Sequence, residues 1–394
     1  MIEPRRIDAM LRSMVEAERA AGVSALVWQG GKEVYWGAAG DADREAARPM
    51  RRDTLVQIYS MTKPVTGVAL MRLWEQGRFG LDDPLARYLP AFGSVKVFAG
   101  KGTDGKPILR PPARPITIRD TMRHTAGFAY GMGDTDVDGM FRELKPLGLS
   151  NSLQDMGGKL VRVPLLFDPG AEWSYSISVD VQALLVEHLS GEPFEPHVRR
   201  TILEPLEMRD TGWTQPEERL GRFAATYVKQ ADGSLVRQED EKTRALNFSA
   251  RRRLTMGGAG LASTIDDYMR FARMLLGQGT LDGARILAPS TVRLMASDHL
   301  DPRITRRHFL PEKGAVGFGL NFAVRTAQPR TATENRGAVG EFFWDGAQST
   351  LFWVDPANEM AVVFFVQVTP YDGTLHHDIR RAVYGPDYLG PPGD

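Results

Sequence analysis

Cysteine is absent from the 394 residues. That excludes disulfides, thiolate metal sites and a cysteine nucleophile. Net charge is absent too, because 49 basic residues balance 49 acidic ones. Such a chain has no general surface for nucleic acid or for an anionic membrane. No stretch reaches the about 18 consecutive apolar residues that a spanning helix requires. The opening MIEPRRIDAMLRSMVEAERAAG has no apolar run after its arginines. It does not read as a secretory signal, and a cytoplasmic protein is expected. Gly-x-Ser-x-Gly does not occur, which argues against an α/β-hydrolase. None of the seven histidines falls in a His-x-x-x-His or His-Glu-x-x-His pattern, so no metal and no cofactor are expected. The Gly257, Gly258 and Gly260 run is not followed by Gly-Lys-Ser/Thr, so it reads as a turn and not a phosphate loop. What is present is ordinary for a globular protein: 42% hydrophobic and 25% charged residues. The length fits one large domain or two ordinary ones.

Periodicity orders the rest. Ile7, Met10, Leu11, Met14 and Val15 predict a helix over about residues 6–20, ended by Gly22. VSALVWQ and KEVYWGAAG read as strands joined at Gly30-Gly31. Residues 99–116 are rich in Gly, Pro and charge and read as an exposed hairpin or loop. Thr117-Ile-Arg-Asp120 has the form of a capping box, opening a helix that carries His124; Thr264-Ile-Asp-Asp267 opens another. Between them the chain reads as mostly helical. After about residue 250, VGFGLNFAVRT, VGEFFWDG, STLFWVD and EMAVVFFVQV are strand-like, and TLHHDIRRAVYG is a last helix. The order predicts an α+β fold with an antiparallel sheet made from both chain ends and flanked by helices. Residues 1–90 and 251–394 would form the sheet-containing domain. Residues 91–250 would form a mainly helical insertion, with an active site between the two.

One short stretch organises the chemistry. Ser60-Met61-Thr62-Lys63 precedes a helical pattern at Val65, Val68, Ala69, Leu73 and Trp74, and Gly77 is its stop. Pro64 falls in the first turn, where its missing N–H matters little. Ser60 is therefore expected at a helix N-terminus, among free N–H groups and at the positive end of the dipole. Lys63 lies one turn on, on the same face. Ser60 is the only serine with a lysine three residues on. A buried, neutral lysine there can take the serine proton. Further along, FDPGAEWSYSISVDVQALLVEHLSG puts Tyr175 on a loop running into a helix.

Ser60, Lys63 and Tyr175, in this order and setting, resemble the serine β-lactamase and penicillin-binding-protein superfamily. The likeness is closest to its class C-like branch and, within it, to the family VIII carboxylesterases. MRHTAGF (122–128), the glycine-rich turn and helix at 255–295, and GEFFWDGAQSTLFWVDP (340–356) carry the likeness along most of the chain. The resemblance implies a β-lactamase/transpeptidase-like fold with Ser60 as nucleophile. Lys63 and Tyr175 would share the proton transfers, and both remain open as the base. The backbone N–H groups of Ser60 and of Ala347, placed by counting from Trp344, would form the oxyanion hole.

The departures carry information as well. Where β-lactamases have Lys-Thr-Gly, this chain has Trp344-Asp345-Gly346. Where class C enzymes have Tyr-x-Asn, it has Ile177 in the third position. Both changes remove polar anchors. Trp344, Asp345, Gly346, Ile177, Tyr130 and Trp173 are the expected substrate contacts, with Trp344 a flat apolar wall. No cation would meet an anionic substrate, and Asp345, if it faces the site, would add a like charge. His124 is expected to hydrogen-bond structurally, Phe318 to sit in the core, Asp180 to support the helix after Tyr175, and His376-His377 to be a solvated helix end. The expectation is a serine carboxylesterase acting on a small-molecule ester of short acyl chain. The same residues would also serve an amidase, a D-peptidase or an acyltransferase. A non-catalytic ligand-binding relative would have no need of all three.

Overall fold

In the computed structural model, residues 2–238, 248–249, 253–331 and 333–388 are described. The first two strands, β1 (Gly22–Gln29) and β2 (Lys32–Asp43), form the expected hairpin. It turns at Gly30 and Gly31, whose φ angles of 58° and 81° lie where only glycine is unstrained. Short β3 (Arg48–Pro49) adds to β2. The other strands come from the end of the chain: β4 (Val316–Phe318), β5 (Ala323–Arg325), β6 (Phe342–Asp345), β7 (Leu351–Asp355) and β8 (Met360–Val366). Together they make an eight-stranded sheet of order β4-β5-β6-β7-β8-β1-β2-β3, antiparallel throughout. The two chain ends meet where β1 pairs with β8, from Val23 opposite Val366 to Gln29 opposite Met360. The β8 sequence MAVVFFV is apolar at every position and buried at every position, as a strand covered on both faces must be.

Helix α1 (Pro4–Glu16) packs on β2 and on the C-terminal helix. It stops four residues earlier than its periodicity predicts, because Glu18 takes a left-handed φ of 50° and turns the chain. The Ser60 segment continues into α2 (Thr62–Glu75), which packs against α3 (Ser178–Ser190). α4 (Ile265–Leu276) lies on β8, β1 and β7, and α5 (Gly373–Tyr384) is the last helix. Residues 97–110 form the expected exposed hairpin. The box at Thr117 and Asp120 is complete. The one at Thr264 is half made: Thr264 accepts the Asp267 N–H, but the Asp267 carboxylate turns away to Asp210 and Thr211. Strand Tyr227–Lys229 pairs with Val368–Thr369, so the late part of the helical stretch joins the C-terminal segment. The boundary expected at 250/251 falls outside the described residues.

Helix α2 is enclosed almost all round, with every residue from Thr62 to Met71 buried. Its fit is closest at Gly67. Asn321, in the loop after β4, donates to Gln182 Oε1 on α3 at 2.7 Å, and Gln182 donates back to Asn321 Oδ1 at 3.1 Å and to Thr121 O at 2.9 Å. A Cβ at Gly67 would sit 2.3 Å from Asn321 Nδ2. This amide pair locks the two helices to the sheet, and it excludes a side chain at 67. Gly67→Ala should therefore destabilise by about 1–3 kcal/mol through overpacking, despite alanine's better helix propensity. Urea denaturation checks this; an unchanged or raised midpoint would mean that Asn321 gives way freely.

Candidate active site

Ser60 does not open α2 directly. It stands in a 3-10 turn, Tyr59–Met61, that runs into the helix. Tyr59 has a φ of 44°, a sharp bend that few non-glycine residues adopt. Lys63 is one turn on, as the spacing requires. Its Nζ lies 3.2 Å from Ser60 Oγ and 3.2 Å from Tyr130 Oη, and donates to Gly258 O at 2.8 Å. It also sits 4.6 Å from the ring centre of Tyr175 and 5.2 Å from that of Tyr130. Tyr175 Oη is hydrogen-bonded with Ser60 and accepts from Trp344 Nε1 at 3.2 Å. The structure thus brings Ser60, Lys63, Tyr175, Tyr130 and Trp344 into one constellation.

Burial sets the proton affinities. Lys63 is 1% exposed, and desolvation lowers its pKa to about 7, against the pull of Asp180 and Asp345. Asp180, in the first turn of α3, accepts the Gly258 N–H at 3.1 Å and is wholly buried. Desolvation pushes the Tyr175 phenol upward, more than its bonds with Ser60 and Trp344 pull it down. The two candidate bases are thereby separated: near neutral pH Lys63 can be uncharged while Tyr175 keeps its proton. His124 is buried and held neutral by desolvation and by Lys63; its Nδ1 lies 3.1 Å from Ser176 Oγ, and its ring packs 4.9 Å from that of Tyr175. It supports the tyrosine structurally.

Ala347, the expected second oxyanion-hole residue, follows the end of β6 by two positions. Gly346 has no room for a side chain: a Cβ would lie 2.2 Å from Thr350 Oγ1 and 2.6 Å from Ile58 O. That close approach lays the end of β6 against the turn carrying Ser60. Ala347 is solvent-exposed.

Four expectations are corrected. Trp173 and Ile177 are fully enclosed and do not line an open pocket: Trp173 stacks behind Tyr175 at 6.4 Å, and Ile177 caps α3 with its N–H on Ala129 O. Trp344 is no exposed wall either. It is 1% exposed, packed by Phe318 and Tyr175 with ring centres 5.3 Å away, and its use to the site is its indole N–H. Asp345 adds no net like charge, because Lys313 from the turn Leu310–Lys313 is ion-paired with it, and Tyr371 Oη donates to it at 2.9 Å. His376 is buried, 2.8 Å from Ser349 O and 3.1 Å from Tyr371 Oη, since α5 begins only three residues before it and turns it inward.

Sequence reasoning missed Gly258, Lys313 and Tyr371. Gly258 had a signal in its glycine run, and the reason for it is now visible: a Cβ there would lie 2.7 Å from Asp180 Oδ2 and 3.2 Å from Lys63 Nζ. Lys313 had none.

A family model described as Beta-lactamase matches residues 7–384. Esterase EstB of Burkholderia gladioli is 30% identical, over 96% of this chain and 94% of its own. Monacolin J acid methylbutanoyltransferase of Aspergillus terreus is 27% identical, over 84% of this chain and 81% of its own. The solved structure of EstCE1, a hydrolase with promiscuous acyltransferase activity, superposes with a TM-score of 0.81 at 27% identity, covering 97% of this chain and 98% of that one.

The environment of Lys63 gives a pH prediction. Phosphonylation of the Ser60 hydroxyl by a fluorophosphonate should rise with pH through about 7, as Lys63 loses its proton. Burial keeps Tyr130 and Tyr175 protonated and His124 neutral there, so none of the three changes charge near that pH. The same shift enters stability. Folded Lys63 binds fewer protons than unfolded Lys63 between about 7 and the ordinary lysine value of 10.5. Its contribution to stability therefore rises with pH across that window and is least favourable below it. Lys63→Met should stabilise the fold, most at or below neutral pH. A labelling rate flat between pH 5.5 and 8.5 would contradict the depressed lysine.

Proposed function

The chain belongs to the Beta-lactamase family, and on that premise we propose that it is a serine esterase cleaving short-chain carboxylic esters through an acyl-enzyme on Ser60. One observation carries the reading: a buried lysine with a pKa near 7 lies 3.2 Å from the Ser60 hydroxyl. Neutral Lys63 takes the Ser60 proton as Oγ adds to the ester carbonyl. The negative charge that builds on the carbonyl oxygen is met by the N–H groups of Ser60 and Ala347. Tyr175, still protonated, gives its proton to the departing alkoxide, and the Lys63 ammonium restores it. Water then attacks the acyl-enzyme along the reverse path, releasing the acid and free Ser60. The Trp344 N–H on Tyr175 Oη eases the moment at which that oxygen is ionised.

The substrate class follows from charge. Half-buried Tyr130, Tyr175 and Phe309 supply aromatic surface, and the cation nearest Trp344 is already paired with Asp345. A substrate carboxylate would be desolvated without a free partner, so neutral esters are favoured. The esterase and hydrolase names of the relatives support the same reading. Transfer of the acyl group to an alcohol is the second reading, supported by the methylbutanoyltransferase relative and by the acyltransferase side activity of EstCE1. It uses the same acyl-enzyme and differs only in the acceptor.

Ser60→Ala should abolish ester turnover and leave the fold intact; mass spectrometry after fluorophosphonate treatment should find the adduct on Ser60 and nowhere else. An unmodified protein with no ester turnover would favour a ligand-binding relative. Lys63→Ala and Tyr175→Phe should each lower kcat/KM by about 10²-fold or more, and their losses should not multiply, because the two act as one proton path. Wild-type kcat/KM on nitrophenyl butyrate should exceed that on nitrocefin by at least about 10²-fold. Equal rates on the two would overturn the assignment to neutral esters.

A further inference from the structure

Lys313 and Asp345 are 4% and 5% exposed and ion-paired. The ammonium of Lys313 lies 4.6 Å from the ring centre of Phe309 and 5.0 Å from that of Trp344. Those two rings pack on Tyr175 at 5.9 and 5.3 Å. One layer of aromatic rings therefore separates the pair from the catalytic tyrosine. On its other side the pair lines a cavity of about 330 Å³, shared with Phe309, Tyr371 and Thr374. The charge of Asp345 is felt at both Lys63 and Tyr175.

The surrounding groups leave the pair to balance itself. Burial lowers the pKa of His376 to about 4, so it is neutral at pH 7, and the Tyr371 phenol is pushed far upward and stays protonated. Arg380, also in the cavity wall, is held by Glu341 at 2.7 Å, and Glu312 is at the exposed rim. An anionic group entering from the catalytic side or from the cavity would have to compete with Asp345 for Lys313. Taking Asp345 away would leave a buried ammonium without its partner, the arrangement that most rewards an incoming anion.

We propose that Asp345 is a built-in counter-ion to Lys313 and thereby fixes the charge of the substrate: with both present the site accepts neutral esters, and with Lys313 alone it would accept esters bearing a carboxylate. The proposal rests on the esterase reading and adds the residue pair that sets its specificity.

Four proteins test it: the wild type, Asp345→Asn, Lys313→Met and the double variant, carrying local charges of zero, plus one, minus one and zero. Each is assayed with nitrophenyl butyrate and with the mono-nitrophenyl ester of glutaric acid, whose far end is a carboxylate. The ratio of anionic to neutral kcat/KM should rise at least about tenfold in Asp345→Asn, fall by a similar factor in Lys313→Met, and return close to wild type in the double variant. A purely structural pair would lower both activities and leave the ratio alone. Should Asp345→Asn fail to fold, Lys313→Met against the double variant poses the same question, since they too differ by one charge. A ratio constant within about threefold across the folded proteins, with neutral-ester turnover intact, overturns this proposal only. Absence of neutral-ester turnover in the wild type overturns the esterase reading itself.

Discussion

The removal of Lys63 from water is the constraint on which the rest of the structure depends. An ammonium in a protein interior is expensive unless it is paired or gives up its proton. Here both means are used in part. Asp180 and Asp345 act on it at a distance, Gly258 O accepts from it, and the remaining desolvation brings its pKa to about 7. Much of the surrounding architecture serves to keep water out. Helix α2 is buried from Thr62 to Met71, the glycine run comes within touching distance of the lysine, and the Asn321–Gln182 pair locks α2 and α3 to the sheet. A looser fit would let water in and return the lysine to its charged form.

The same burial divides the labour between the two candidate bases. Desolvation lowers the proton affinity of a cationic acid and raises that of a neutral one, so Lys63 and Tyr175 move in opposite directions within one enclosure. One becomes an acceptor near neutral pH and the other a donor. Trp344 fits this arrangement. In place of a charge it offers a neutral N–H to the tyrosine oxygen, which helps a phenolate form without holding the lysine in its charged state.

The cation beside the third segment comes from elsewhere in the chain. The residue preceding Asp345 is a tryptophan, yet a lysine reaches its ring from a turn 31 residues earlier in the chain and is neutralised at once by Asp345. The aromatic cage around Tyr175 is thus backed by a buried pair of zero net charge. Such a pair adds little to stability relative to apolar residues of the same size, and its proximity to the site gives it a use in selecting substrates.

The local features were determined by the sequence alone. Ser60 and Lys63 three apart at a helix start, the glycine hairpin at 30–31, the capping threonines, and strands made from both chain ends depend on near neighbours and on periodicity, which any reader of the chain can count. Tyr175 and Ala347 were reached through the likeness to a family. Tertiary structure decided what depends on enclosure and on contacts distant in sequence. A tryptophan that reads as an open wall is sealed on all sides, and Trp173 and Ile177 lie behind the site. A histidine at a helix start that reads as solvated is turned inward. Lys313 meets Asp345 across 32 residues with no pattern to announce it. Proton affinity belongs with these, because it is a property of surroundings. The place of Lys63 can be counted from the sequence, but only the packing of α2, α3 and the glycine turn around it lowers its proton affinity toward neutral pH.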